Sequence, residues 1–405
     1  MFDGFLRVAA ATPDIRVADC NFNGASAAAL VSEAYEQGVS LLVLPELCLT
    51  GYTCSDLFLQ ESLLDGAVKA LLTLTEATRD KNMVVLAGLP LTVNGVLYNV
   101  AAVLHDGDIL GFVPKSYLPT YSEFYEGRHY HSGADIEADV LFNGKTYPFG
   151  TRLLFRCRQM PAFTLGIEIC EDLWVAQPPS ISHALAGATV IANLSASDET
   201  TGKDIYRRSL VSGQSARLVC GYIYADAGEG ESSTDLVFGA HNLICENGSI
   251  LAESERFSNQ MIMADMDMSK LISERRRMTT WQPKFDNGYR VIDFDLEMHE
   301  VDLRRFIDPH PFVPDDAMDR TRRCEEILTI QAMGLKKRLA HTHCRHAVVG
   351  ISGGLDSTLA LLVSVNACDK LGIPRENITA VTMPGFGTTD RTYFNALHLI
   401  EELGC

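Results

Sequence analysis

Apolar positions along the first 270 residues fall into two rhythms. Runs with both faces apolar, at 5–10, 40–45 (SLLVLP) and 83–89, predict buried strands. Residues 26–37 and 63–80 instead repeat apolar side chains at helical spacing, and Gly38 closes the first of these helices. The runs 97–104 and 109–113 flank Asp106-Gly107, a hairpin signal. Further strands are expected at 163–169, 189–194, 221–225, 241–245 and 260–265, and helices at 180–186 and 203–218. Strands of this kind, mixed with helices and a hairpin, predict a layered α/β domain whose sheets are covered by helices.

The pattern changes at 271–320, where a small basic run (ERRRM, 274–278) and the segment DPHPFVPDD (308–316) read as a linker or arm. Beyond it the spacing predicts a helix over 317–340, a strand at 347–351, a helix over 357–366, a strand at 378–383 and a helix over 392–403. The organisation expected is therefore a domain over 1–275, a linker over 276–316 and a second α/β domain over 317–405. In that second domain a doubly wound sheet is begun with two strands and left incomplete at Cys405.

The 405 residues suit two domains, at about 100–200 residues each. With 47% apolar and 21% charged residues the chain is an ordinary globular one. Its net charge of −18 argues against nucleic acid or an anionic membrane as partner. No apolar run reaches the about eighteen residues of a membrane span, and the start has no basic segment of a signal peptide. Eleven cysteines without a C-x-x-C pair fit reduced thiols and a cytoplasmic location.

Three segments place reactive side chains directly after apolar strands, where open α/β sheets carry their sites. They are LPELCLTGY (44–52) with Glu46, FVPKSYLPTYSEFYEGRHY (112–130) with Lys115, and GIEICEDLW (166–174) with Cys170. A thiol attacks as thiolate and needs a base, and the oxyanion it creates needs a cation. Glu46 is the candidate base and Lys115 the candidate cation. A cysteine after a strand is more often a small buried hydrophobe, and the other ten are read that way.

The three motifs, in this order, resemble the nitrilase (carbon–nitrogen hydrolase) superfamily, which implies an αββα sandwich with a Glu-Lys-Cys triad. LPTYSEFYEGRHY and NLSASDETTGKDIYRR (193–208) are similar to the glutaminase domain of the glutamine-dependent NAD synthetase family. That resemblance implies Tyr121, Ser197 and Lys203 as glutamine-binding residues, Lys203 standing where some members carry arginine. Tyr52, Glu123, Phe124 and Glu171 are implied as support around the thiol, Glu123 being the next candidate base after Glu46.

HAVVGISGGLDSTLALLVS (346–364) is a strand, a glycine turn and a helix. Adjacent glycines and a helix N-terminus suit an anion. The turn SGGLDS resembles the pyrophosphate loop of the ATP pyrophosphatase family. This implies a Rossmann-like doubly wound domain and ATP contacts from Gly350, Ile351, Ser352, Gly353, Gly354, Leu355, Asp356 and Ser357, with Mg2+ as companion of ATP. MPGFGTTDRTYFNA (383–396) resembles the matching stretch of NAD synthetases. Together the resemblances imply hydrolysis of glutamine to ammonia and ATP-dependent amidation of deamido-NAD to NAD, of which this chain, its second sheet incomplete, is expected to keep only the glutaminase part. They imply no prosthetic group, and homo-oligomers with an ammonia channel. Two alternatives stand beside this: another nitrilase-type amidase or carbamoylase fused to a different ATP-dependent amidating domain, and a glutamine-sensing scaffold with a degenerate site. HTHCRH (341–346), His129 and His131 are read as structural rather than metal-binding, and no metal site is expected in the protein itself.

Overall fold

Along the strand Phe5–Ala11, Leu6, Val8 and Ala10 enter one apolar layer and Ala9 and Ala11 another. The alternation repeats on Leu41–Val43 and Val84–Val93: Leu41, Val43, Val84 and Leu86 share the first layer, Leu42, Val85 and Ala87 the second. A sheet apolar on both faces has to be covered on both. In the computed structural model, which describes residues 4–284, 288–386 and 389–405, the chain forms two units, Met1–Arg305 and Phe306–Cys405.

The first unit holds an eight-stranded sheet in the order Met261–Asp267, Phe5–Ala11, Leu41–Val43, Val84–Val93, Val96–His105, Asp108–Pro114, Lys145–Gly150, Glu137–Phe142. A seven-stranded sheet has the order Ser249–Glu253, Leu243–Glu246, Gly221–Asp226, Val190–Ser195, Thr164–Ile169, Leu153–Cys157, Arg290–Phe294. The inner faces meet in one cluster, where Leu6, Val8, Leu41 and Val84 share a core with Phe155, Leu165, Ile167 and Ile223. The helices Cys20–Glu36 and Glu61–Ala77 cover the outside of the first sheet through Ala27, Val31, Leu71 and Leu74. Pro179–Ala186 and Lys203–Leu218 cover the second through Ala184 and Val211. The unit is an αββα sandwich.

Strand direction positions the chemistry. Leu41–Val43 runs parallel to Phe5–Ala11 and Val84–Val93, and two antiparallel steps bring Asp108–Pro114 into the same sense. Thr164–Ile169, Val190–Ser195 and Gly221–Asp226 are likewise mutually parallel. Glu46, Lys115, Cys170 and Ser197 therefore all follow carboxyl ends of strands.

Several boundaries differ from expectation. The first helix begins at Cys20 rather than 26, because Asp19 caps it, accepting the Phe22 amide at 3.1 Å, and its buried Asn23 is satisfied by the backbone of Arg16. The expected linker over 276–316 is in part sheet and clamp. ERRR (274–277) belongs to the helix Met268–Arg277, and Arg275, buried, donates to the carbonyls of Ala188, Leu218 and Val219. Arg290–Phe294 adds in parallel to Leu153–Cys157. Arg305 forms a bidentate pair with the buried Glu246 at 2.6 and 2.9 Å. The first unit thus extends to Arg305, past the expected boundary at 275, because these polar contacts leave no apolar periodicity to read.

In the second unit Ala347–Gly350 and Ile378–Val381 pair in parallel. Leu339, Leu361, Val365, Cys368 and Ala396 from the helices Ala317–Thr342, Leu355–Asp369 and Asp390–Leu403 pack with Ile351 and Ile378. Residues 387 and 388 of the 383–396 motif lie outside the described residues. Among the described residues no helix is long and apolar enough to cross a membrane.

Candidate active site

Cys170 opens a short turn, Cys170–Leu173, at the end of Thr164–Ile169. Its φ of +43° is left-handed, a conformation that costs a residue with a Cβ about 1–3 kcal/mol. The strain is held by polar contacts. The Cys170 amide donates to Asn193 Oδ1 at 3.0 Å, while Asn193 Nδ2 donates to the Tyr222 hydroxyl and that hydroxyl to the buried Glu168. Asp172 accepts the Ile169 amide at 3.0 Å from within the same turn. Burial and then the Glu46 carboxylate push the Cys170 thiol well above its ordinary range, against the pull of the Lys115 ammonium. The balance of these influences favours the neutral thiol over the thiolate.

The candidate base and the candidate cation lie together. Lys115 Nζ, fully buried, donates to Glu46 Oε1 at 2.7 Å and to Glu126 Oε1 at 2.6 Å. Burial alone would lower the Lys115 ammonium; Glu126 and Glu46 outweigh it and hold it well above its ordinary value. Glu46 is fixed on all sides, accepting Asn99 Nδ2 at 2.6 Å and the Ala196 amide at 3.0 Å. Its turn lies so close to the neighbouring strand that a Cβ on Gly88 would stand 2.3 Å from the Leu47 nitrogen. Only glycine permits that approach. Asp172 then joins the two halves, accepting the amides of Ser116 and Tyr117 at 3.1 and 2.9 Å. Burial lifts its carboxyl to about 7.

Glu126, rather than Glu123, is the second carboxylate at Lys115. The turn Glu126–Arg128 swings it inward, its amide donating to Pro119 O at 3.1 Å, while Tyr52 donates its hydroxyl to Glu126 Oε1 at 2.8 Å. Burial pushes the Glu126 carboxyl up to about 7, and its Oε2 is buried with no hydrogen-bond partner among the described residues. Glu123 and Phe124 line a cavity of about 210 Å3 together with Tyr52 and Glu126. The segment 112–130 showed that a carboxylate was available; nothing in its pattern distinguished position 123 from 126. Asn99, Asn193 and Asp172 were likewise invisible, each a polar residue inside or beside an apolar strand.

The residues implied for glutamine stand on neighbouring turns. Tyr121 donates its hydroxyl to Glu171 at 2.8 Å, and Glu171 is half-buried rather than a free loop carboxylate. Ser197 donates its amide to Asp226 at 2.8 Å and accepts at Oγ from the wholly buried Arg207 at 3.2 Å. Lys203 pairs with Asp198 and lies 5.4 and 6.0 Å from the ring centroids of Trp174 and Phe124. Aromatic faces and one carboxylate hold the ammonium in place.

In the second unit the helix begins at Leu355, two residues before the expected Ser357, because Gly354 caps it. Asp356 and Ser357 therefore lie in its first turn. Gly353 has φ +80°, and a Cβ there would stand 2.0 Å from the Thr392 carbonyl oxygen. Ser352 Oγ and Ser357 Oγ are 3.2 Å apart, and Ser357 also donates to Gly354 O. Gly350, Ile351 and Leu355 complete the turn, whose Ser352, Gly354 and Asp356 face solvent at a helix N-terminus while Ser357 is half-buried.

The chain matches the family model of carbon–nitrogen hydrolases over residues 7–276 and that of NAD synthase over residues 327–405. A glutamine-dependent NAD(+) synthetase of Mycobacterium bovis is 44% identical, over 99% of this chain and 60% of its own length. The chain thus spans 60% of the curated relative it matches. Among solved structures, a glutamine-dependent NAD(+) synthetase from Cytophaga hutchinsonii has a TM-score of 0.59 at 23% identity, over 99% of this chain and 64% of that one. A nitrilase-superfamily amidase from Nesterenkonia has a TM-score of 0.51 at 20% identity, over 67% of this chain and 94% of that one.

Proposed function

As this chain belongs to the carbon–nitrogen hydrolase family, we propose that its first unit hydrolyses glutamine to glutamate and ammonia. We further propose that the ammonia serves a glutamine-dependent synthesis of NAD. The observation that carries the reading is the buried Lys115, held between Glu46 and Glu126 beside the strained Cys170 turn.

Glu46 takes the proton of the Cys170 thiol as sulfur attacks the side-chain amide carbon, which answers the need of a thiol held neutral at rest. Lys115 faces the oxygen that becomes negative. The intermediate collapses with the proton passing from Glu46 to the leaving nitrogen, so ammonia departs and a thioester remains. Glu46 then removes a proton from water, which attacks the thioester; the proton returns to sulfur and glutamate leaves. Tyr121, Ser197, Lys203 and Glu171 surround the amino-acid end of the substrate, Lys203 pairing with its carboxylate.

In the second unit the Ser352–Ser357 turn is the site for the phosphates of ATP, supported by the left-handed Gly353 and the open N-terminus of Leu355–Asp369. Magnesium keeps one or two carboxylates besides phosphate oxygens, and Asp356, exposed in the first helical turn, suits such a companion of ATP. The reaction proposed is adenylylation of deamido-NAD with release of pyrophosphate, then displacement of AMP by ammonia to give NAD. The match of residues 327–405 to NAD synthase supports this half. The free thiols support a cytoplasmic location. Glutamate release from glutamine by the purified chain, lost on alkylation of Cys170 and protected by glutamine, tests the first half. NAD formation dependent on ATP and deamido-NAD tests the second.

A further inference from the structure

Glu231 is a half-buried carboxylate for which the hydrolytic chemistry has no use. It lies on the segment 229–238, yet both of its oxygens are engaged on a different segment. Oε1 accepts the Tyr52 amide at 2.7 Å, and Oε2 accepts the Thr53 amide at 2.9 Å and the Thr53 hydroxyl at 2.5 Å. The Ser232 amide donates to that hydroxyl at 2.8 Å. Phe238 meets the Tyr52 ring edge-on, with centroids 5.8 Å apart. Tyr52 is thus gripped at its amide and its ring by one loop, while its hydroxyl reaches Glu126 at 2.8 Å.

We propose that Glu231 is a positioning residue of the Lys115 centre, fixing Tyr52 and through it Glu126, so that the loop 229–238 governs the state of the catalytic carboxylates. The proposal rests on the reading of Cys170 as the hydrolytic nucleophile. A carboxylate with two backbone amides and a hydroxyl on it holds the Tyr52 main chain as a fixed pivot. Moving the pivot moves the phenol, and among the described residues the Tyr52 hydrogen bond is one of two that Glu126 Oε1 receives. The other Glu126 oxygen has none among the described residues. The groups facing Glu126 are Lys115 and Glu46 on the strand ends, Tyr52 on its turn, Tyr130 on its own segment, and Cys170 and Glu171 on the nucleophile turn. Those facing Glu231 are Cys48 and Cys54. Lys115 already donates to that same Glu126 oxygen and to Glu46, so the phenol is a separate support of Glu126. The tyrosine hydrogen bond favours the charged carboxylate, so weakening it favours the neutral one.

The test is the pH dependence of Cys170 alkylation by iodoacetamide in the full chain, followed on the Cys170 peptide by mass spectrometry. It compares the parent, Tyr52→Phe, Glu231→Gln and the double variant, with glutamine turnover measured beside it. The inflection nearest neutrality is expected to move to higher pH by about one unit in Tyr52→Phe, the loss of one charge-assisted hydrogen bond. Glu231→Gln, which can accept but one of the two amides, is expected to move it in the same direction by less. The double variant is expected to move no further than Tyr52→Phe. Glutamine turnover in Glu231→Gln is expected to fall about tenfold in kcat with KM nearly unchanged. Should that variant fold poorly, Glu231→Asp, which keeps the charge, is expected to show the smaller version of the same shift. An unmoved inflection in a folded Glu231 variant, or shifts that add in full in the double variant, overturns the proposal. If the parent releases no glutamate from glutamine, the substrate reading fails while the alkylation comparison still decides the role of Glu231.

Discussion

Asp172 reaches from the Cys170 turn to the Tyr117 amide at 2.9 Å, two residues beyond Lys115. One carboxylate thereby ties the Cys170 turn to the segment after Lys115, taking the Ile169 and Ser116 amides as well. Asp172→Ala is expected to lower kcat for glutamine by about 100-fold, since a shift of about 1 Å in reacting groups costs that much. Steady-state kinetics together with circular dichroism separates this from unfolding, and a folded variant with the parent kcat would show that the link is dispensable.

Cys170→Ala is expected to abolish glutamine hydrolysis in a chain that still folds, because it removes the thiol proposed to form the thioester. Glu46→Gln is expected to lose about 10²–10⁴ in kcat, an amide being unable to take the thiol proton. Pre-steady-state release of ammonia checks both. Should Glu46→Gln turn over near the parent rate, the base moves to Glu126, which shares Lys115 with it, and not to Glu123.

Lys203→Ala is expected to raise KM for glutamine by about tenfold or more with a smaller change in kcat, because a carboxylate remote from the reacting carbon is bound alike in ground and transition states. The variant also leaves the buried Asp198 without its cation. Asp198→Asn in the same background should therefore recover stability without recovering KM. An unchanged KM in Lys203→Ala would remove this lysine from the substrate site.

Stability should depend on pH in an unusual direction. Burial, opposed by Lys115 and Arg207 among others, lifts Glu126 and Asp172 to about 7 and Asp226 to about 6, from ordinary values of 4.5, 3.8 and 3.8. Between those limits the folded chain keeps protons that the unfolded chain has released, so stability present at low pH is lost as pH rises through the window. His183, which burial lowers from 6.5 to about 4, acts in the opposite sense. The three carboxyls outweigh the imidazole, so a net fall in stability is predicted between pH 5 and 7.5. Urea unfolding followed by Trp174 and Trp281, both in the first unit, measures it. Glu126→Gln should flatten the slope; a steeper slope in that variant would contradict the assignment.

Gly353→Ala should destabilise the second unit by about 1–3 kcal/mol, since φ is +80° and the added carbon would meet the Thr392 carbonyl oxygen. Hydrogen exchange of the Leu355–Asp369 amides, with and without an ATP analogue, reports both the loss and any effect on nucleotide binding. Unchanged protection would mean that the turn relaxes freely.

The αββα fold was legible because its central strands are apolar on both faces, so Ala9 and Val8 both announce burial. Glu46, Lys115 and Cys170 stood out as polar interruptions directly after such strands. Glu126 did not, because only the inward turn at Glu126–Arg128 separates it from Glu123. The strands Glu137–Phe142 and Lys145–Gly150 were missed since the first exposes most of its residues. Their turn, Asn143-Gly144, with φ of +46° and +78°, nonetheless carries the signal recognised at Asp106-Gly107. Asn247-Gly248, which also begins an N-x-S pattern, proves to be a hairpin turn of the same kind. Arg290–Phe294 was hidden by its composition: Arg290 and Asp293 serve ion pairs with Asp139 and Arg156, so no alternation survives.

That last strand decides how the first unit can be cut from its neighbour. Residues 7–276 carry the hydrolase match, and a fragment ending there would contain every group placed around Cys170. It would also strip Arg290–Phe294 from Leu153–Cys157, leaving an open parallel rim with Leu153, Leu154 and Phe155 beside it. Such a rim invites pairing between molecules. A fragment prolonged to Arg305 keeps the rim closed and retains the Glu246–Arg305 clasp. The shorter piece should precipitate or self-associate where the longer one stays monodisperse, so solubility, rather than catalysis, marks where the hydrolase ends.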